Sequence, residues 1–169
     1  MLINRKLNYR ARNKQNGFSL LEVLVTILVL SFGLLGMAAL VTTGMRSNNV
    51  AHYRSIATHQ TQDIADRMRA NLVGVRAGNY DALAVGVPAS NDCMAAACDD
   101  AQMAVYDHAQ WNTANAALLP GGSGTVNGSL VNGFTITLMW TEKEMAGRSD
   151  PGCPGTPADM RCFATRVLP

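Results

Sequence analysis

Acidic residues are missing from the first 17 positions, which carry Arg5, Lys6, Arg10, Arg12 and Lys14. The opposite shortage holds further on, where residues 77–169 have four basic and nine acidic side chains. Phosphate affinity needs a basic footprint, so the acid-rich C-terminal part excludes general nucleic-acid binding. Signatures of catalysis are also missing: there is no nucleophile elbow, P-loop or dinucleotide fingerprint. Histidine is scarce, with three in the chain. His52 and His59 stand two helical turns apart, too far for direct shared ligation even with Asp63 beyond them. His108 reads as a satisfied packing residue. Asn91, Asp92, Asp99 and Asp100 lack the D-x-D-x-D-G spacing of a calcium loop and read as helix-capping residues. Asn127-Gly128-Ser129 matches the glycosylation acceptor pattern, but so short a match is common by chance. These absences predict a protein that needs no cofactor or metal and is not an enzyme.

What is present begins with an apolar run. From Leu20 to Val41 only Glu22, Thr26, Ser31 and the glycines interrupt the hydrocarbon. Such a run is long enough to cross a bilayer. The basic residues before it, with none behind until Arg46, predict a cytoplasmic N-terminus and an exported remainder beyond about residue 45. Glu22 is the odd member, because a carboxylate within a spanning helix costs about 2.5–3.5 kcal/mol on insertion scales. The small residue Gly17 precedes the run. An ordinary secretory signal has its cleavage site after the apolar stretch; cleavage at Gly17–Phe18 would instead discard the charges and keep the helix.

Helical periodicity continues past the apolar run, with Val50, Tyr53, Ala57, Ile64, Met68 and Leu72 mostly three or four apart. The expectation is one helix over residues 18–73, about 84 Å at 1.5 Å per residue, stopped at Gly74 and Gly78. Its second half presents one stripe to a head domain and its first half is apolar all round, which requires lipid or a helical core. Gly33, Gly36 and Gly44 soften the helix or admit close helix packing. In the remainder, Asp99 or Asp100 caps a helix running to about residue 119, with Ala104, Val105, Trp111, Leu118 and Leu119 on its inward half. Strands are expected at 124–127, 134–140 and about 161–168, with turns at Gly128-Ser129 and Asn132-Gly133. Pro151, Pro154 and Pro157 mark an irregular loop. All four cysteines, Cys93, Cys98, Cys153 and Cys162, lie in the exported part, so two disulfides are expected. Three connectivities are open; the local pairing Cys93–Cys98 and Cys153–Cys162 is favoured. Four- and eight-residue gaps fit a zinc ribbon poorly.

The stretch KQNGFSLLEVLVTILVLSFGLLG resembles the class III leader and N-terminal helix of type IV prepilins and pseudopilins. The resemblance implies that a prepilin peptidase cuts between Gly17 and Phe18 and methylates Phe18, and that Glu22 registers subunits in a filament. Ser19 stands where many members have Thr. The segment DIADRMRAN (residues 63–71), with AVYDHAQWNTANAALLPGGSGTV and FTITLMW further on, is similar to the PilV branch of minor pilins, the type IV pilus modification proteins. Asp63 with Arg67 and Asp66 with Arg69 are at ion-pair spacing on one helix and also read as a solvated charged face.

The resemblance implies an α+β, type IV pilin-like fold, a long N-terminal transmembrane helix packed on a small antiparallel sheet. Residues 1–17 would be the cleaved leader, 18–45 the transmembrane and polymerisation helix, 46–74 its amphipathic continuation and 75–169 a periplasmic head. The implied function is that of a minor pilin priming a type IV pilus from a tip complex, supporting adhesion and twitching motility. Its partners would be other minor pilins, the major pilin, the prepilin peptidase, the inner-membrane assembly platform and a tip adhesin. It would sit in the inner membrane and then in the extracellular pilus. A type II secretion pseudopilin, and a membrane-tethered ligand-binding or enzymatic domain, are the alternatives.

Overall fold

The computed structural model describes residues 17–153 and 157–169. The leader up to residue 16, and Pro154 of the proline loop, fall outside the described residues. The chain divides into two compact units, Met1–Arg46 and Ser47–Pro169. Helix α1 (Leu20–Ala70) supplies residues to both. It is followed by α2 (Leu72–Arg76), β1 (Ala82–Leu83), α3 (Asp100–Leu118), β2 (Ser123–Ser129), β3 (Gly133–Thr141), a 3-10 turn (Lys143–Met145) and β4 (Met160–Val167). A long apolar helix with a small antiparallel sheet is the α+β architecture expected.

The single helix expected over residues 18–73 differs at both ends. Ser19 caps the start, its hydroxyl accepting from the Leu21 N–H at 3.3 Å, so the helix opens at Leu20. Asn71 then interrupts it. The Asn71 side chain accepts from the Gly74 N–H at 3.0 Å and donates to the Asp100 carbonyl at 2.8 Å, which starts α2 as a separate turn. Gly74, expected to stop the helix, is instead buried inside α2, where a Cβ would meet the Asn71 amide at 2.6 Å. The stop is Gly78, with φ +81. Its N–H bonds the Val75 carbonyl at 3.1 Å and the Asn79 N–H bonds the Gly74 carbonyl at 3.0 Å, the paired closure of a Schellman motif.

The sheet runs β1-β2-β3-β4, each strand antiparallel to its neighbour. Strand β3 supplies Phe134, Ile136, Leu138 and Trp140 to the core, all buried, the period of two expected for it. Strand β2 is longer than expected: Gly128 and Ser129, read as a turn, pair with Phe134 and Gly133. Gly128 makes this possible because a Cβ there would lie 2.2 Å from the Gly133 carbonyl oxygen. The two-residue β1 was not foreseen, being too short to show periodicity.

In α3 the helix is at the expected place, with Asp99 as its cap and Gln102 completing a capping box. The buried face differs. Val105 and Leu118 are exposed, whereas Ala104, Asp107, His108, Trp111, Asn112 and Asn115 are buried. These six keep strict helical spacing but include four polar residues, so apolarity alone misplaced the stripe. The core joins Ala57, Ile64, Ala65 and Met68 of α1 with Trp111 of α3 and the β3 side chains.

Trp111 sets a tight constraint. Its ring is fully buried, its N–H donates to the Gln60 carbonyl at 2.8 Å, and a Cβ on Gly124 would lie 2.3 Å from the ring. Gly124→Ala is therefore expected to lower stability by about 1–3 kcal/mol through overpacking, read as a fall in the midpoint of thermal unfolding. An unchanged midpoint would show that the ring relaxes freely.

Candidate assembly site

The N-terminal unit presents the residues that the sequence singled out. Gly17 and Phe18 precede α1 outside any helix or strand, and Phe18 is 83 % exposed. Every described residue from Gly17 to Asn49 is exposed. Helix α1 is the one described helix long and apolar enough to cross a membrane. The polar groups within its apolar part are mostly satisfied locally. The hydroxyls of Thr26, Ser31, Thr42 and Thr43 donate to the carbonyls of Val23, Ile27, Ala38 and Ala39 at 2.7–3.0 Å. Hydroxyls bonded in this way carry little penalty in lipid. Glu22 is different: among the described residues its carboxylate has no side-chain partner. The helix continues unbroken through Gly33, Gly36 and Gly44, and a Cβ at any of them meets nothing within 4 Å. Among the described residues nothing demands glycine there.

In the other unit the charged segment 63–71 does more than form a solvated face. Arg67 pairs with Asp63 at 2.9 Å and also reaches Asp107 of α3 at 3.2 Å. Asp107 accepts the phenol proton of Tyr80 at 2.6 Å, and Tyr80 accepts from the Asn71 amide at 3.2 Å. Burial, and the Asp107 carboxylate bonded to it, push the Tyr80 pKa upward, so the phenol stays protonated. Asp66–Arg69 is by contrast an exposed pair at 2.6 Å. Sequence reading missed Tyr80, Asp107 and Asn71 as members of one network. The available signal was the run of Asp107, His108, Asn112 and Asn115 at helical spacing on the face that also holds Trp111.

His108 lies on that face with Nε2 2.8 Å from the Ala84 carbonyl. Asn112 accepts from the Gly124 N–H at 2.7 Å and donates to the Gly124 carbonyl at 3.1 Å and the Gly86 carbonyl at 2.8 Å. Its amide thus occupies the place of a neighbouring strand beside β2. His52 and His59 are exposed on α1. The described residues hold no group of three His, Cys, Asp or Glu placed to share a metal ion. Asp99 caps α3, and Asp92 accepts from the Met94 N–H at 3.0 Å. Asn127 is paired within β2.

Cys93 pairs with Cys98 and Cys153 with Cys162, the local connectivity, at Cα separations of 5.4 and 6.2 Å. The second bond ties β4 to the loop before it. Within that loop Asp150 accepts from the N–H groups of Gly152 and Cys162, and Arg161 bridges it to Glu142, which lies 2.6 Å from the guanidinium. Burial alone would raise the Asp150 pKa; the two backbone donors with Arg161 and Arg54 outweigh it and hold the carboxyl below its ordinary value.

The family model described as "Prokaryotic N-terminal methylation motif" matches residues 12–38. The chain carries a prepilin-type methylation motif. This supports a type IV pilin-like protein, a subunit of a pilus or pseudopilus, and the α+β fold is consistent with it. The motif implies processing by a prepilin peptidase and assembly with other pilins, and with apolar α1 it fits an inner-membrane anchor. No curated protein and no solved structure matches the chain.

Two outcomes follow for the larger unit. Asp107→Ala leaves the buried Tyr80 hydroxyl without its acceptor and is expected to cost about 2–3 kcal/mol in denaturant unfolding. Asp63→Ala, at a more exposed pair, is expected to cost less than about 1 kcal/mol; equal losses would refute the network. For Asp150, a folded-state pKa below the unfolded value means that its stabilisation is complete above the unfolded pKa of about 3.9 and disappears as pH falls through the lower folded value. Asp150→Asn should flatten the acid limb of the stability–pH curve below about pH 4, and an unaltered limb would count against this assignment.

Proposed function

We propose that the chain is a minor pilin of a type IV pilus, of the PilV kind. The observation that carries this reading is the wholly exposed apolar half of α1 with one carboxylate, Glu22, four residues beyond Phe18. Lipid can cover the hydrocarbon, yet it leaves the carboxylate poorly compensated. A bundle of like helices covers both, because a neighbour's N-terminal ammonium pairs with Glu22 while the side chains pack. A segment suited to both surroundings suits a subunit that leaves the membrane for a filament.

In this reading the prepilin peptidase cuts after Gly17 and methylates Phe18. The N-terminus faces the cytoplasm, and residues beyond about 45 are periplasmic until the subunit enters the pilus. There it joins other minor pilins in a tip complex that primes the major pilin on the inner-membrane platform, with a tip adhesin as a further partner. Adhesion and twitching motility are the outputs, and the protein works by assembly rather than catalysis. A type II secretion pseudopilin would use the same N-terminal segment. The likeness of residues 63–71, 104–126 and 134–140 to the PilV branch of minor pilins favours the pilus.

Mass spectrometry of the membrane-bound protein is expected to find N-methyl-Phe18 as its first residue. Glu22→Ala is expected to insert and be processed normally yet sharply reduce surface pili counted by electron microscopy. Normal piliation by that variant would overturn the proposed role of Glu22.

A further inference from the structure

From Ala77 to Glu142 the chain contains no Lys or Arg, although Asp81, Asp92, Asp99, Asp100, Asp107 and Glu142 all fall within that span. Asp107 and Glu142 are committed to Arg67 and Arg161. Asp92 and Asp100 are exposed and make no ion pair among the described residues. The same region exposes hydrocarbon: Val85, Val87, Met94 and Val105 are 61, 55, 84 and 40 % exposed. A groove of about 300 Å³ runs there, lined by Ala89, Ser90, Asn91, Ala101, Gln102 and Val105. Asp92 follows one lining residue in the chain and Asp100 precedes another, so a carboxylate stands next to each wall.

Both walls are held. The Cys93–Cys98 bond closes the loop that follows Asp92, and the Asp99–Gln102 capping box fixes the first turn of α3. A groove ordered before binding loses little freedom when it is filled. Its chemistry, a largely apolar lining with a carboxylate next to each wall in a stretch of chain that carries no Lys or Arg, disfavours an anionic lipid surface and attracts a segment that is both apolar and cationic. Helix α2 of this chain shows that a pilin-like subunit can present such a segment. Its Leu72 and Val73 are 38 and 57 % exposed, and Arg76 beside them is exposed and makes no ion pair among the described residues.

We infer that this groove docks a neighbouring pilin-type subunit, which places one apolar side chain in the groove and a Lys or Arg beside Asp92 and Asp100. The inference rests on the pilin reading above and names the surface and the chemistry of the contact.

The test uses the full chain in the cells that make it. A photo-activated benzophenone side chain replaces Val105, and in a control it replaces Val131, a 90 % exposed residue in the β2–β3 turn. Mass spectrometry identifies what is attached. The expected product at position 105 is a peptide with Lys or Arg close to the attachment point, from a protein that itself carries an N-terminal methylation motif. Its yield should fall roughly fivefold or more when Asp92 and Asp100 are both changed to Lys, while products at position 131 stay unchanged. Retention of both disulfides in the variant, read by thiol labelling, excludes misfolding as the cause. Attachment to lipid, attachment to a protein without the motif, no attachment at 105, or a yield indifferent to charge reversal would each overturn the inference. The pilin reading fails separately, if Phe18 is never methylated.

Discussion

One helix must satisfy two different solvents, and most of the structure follows from that constraint. Residues 17–49 are exposed, and hydrocarbon dominates them from Leu20 to Val41, whereas Ala57, Thr61, Ile64, Ala65 and Met68 are buried in the head core. A helix apolar all round is stable only in lipid or among other helices. A helix with a single apolar stripe is stable against a folded domain. Helix α1 changes from one kind to the other along an unbroken backbone, and its own side chains supply the change. Between Leu20 and Arg46 the side-chain polar groups are hydroxyls bonded back to the helix and the Glu22 carboxylate, which has no side-chain partner among the described residues. Beyond it, arginines and aspartates bracket a narrow stripe of small and medium apolar residues.

That narrow stripe explains why the head relies on polar contacts. Ala57, Thr61 and Ala65 let neighbouring elements approach but bury little area each, and a small domain has little core to spare. The Arg67–Asp107–Tyr80–Asn71 network joins α1, α3 and the start of α2 through groups whose bonding needs are met by one another. Such a network is stabilising when complete and costly when one member is removed, because the remaining polar groups stay buried. Directionality is what it adds over a hydrocarbon contact. Asn71 must face Gly74, Tyr80 and Asp100 together, so the chain can leave α1 in only one way.

The long helix, the capped α3, the β3 alternation and the local disulfides were legible in the sequence because each is written in local periodicity or spacing. The N-terminal motif was legible for the same reason, since Gly17, Phe18 and Glu22 lie within six residues. The failures share a cause. The buried face of α3 differs from the expected one because Asp107, Asn112 and Asn115 count as polar, and the first two are satisfied by distant partners, Asp107 by Arg67 and Tyr80 and Asn112 by Gly124. Gly74 reads with Gly78 as flanking the helix stop because its actual requirement, room for the Asn71 amide, is invisible without the side chain that needs it.

Asn112 shows how far this argument extends. Strand β1 is only two residues long, so it leaves most of β2 without a neighbour on that side. An uncovered strand edge invites pairing with another chain. The Asn112 amide bonds both the N–H and the carbonyl of Gly124 and so ends the ladder with a side chain instead of a strand. It can do so only if α3 lies close over β2, which Gly124 allows by leaving room for Trp111. The same glycine therefore admits the aromatic ring and offers the backbone groups that Asn112 covers. A strand edge left open would invite accidental pairing with another chain, and the head blocks it at this point with one asparagine and one glycine.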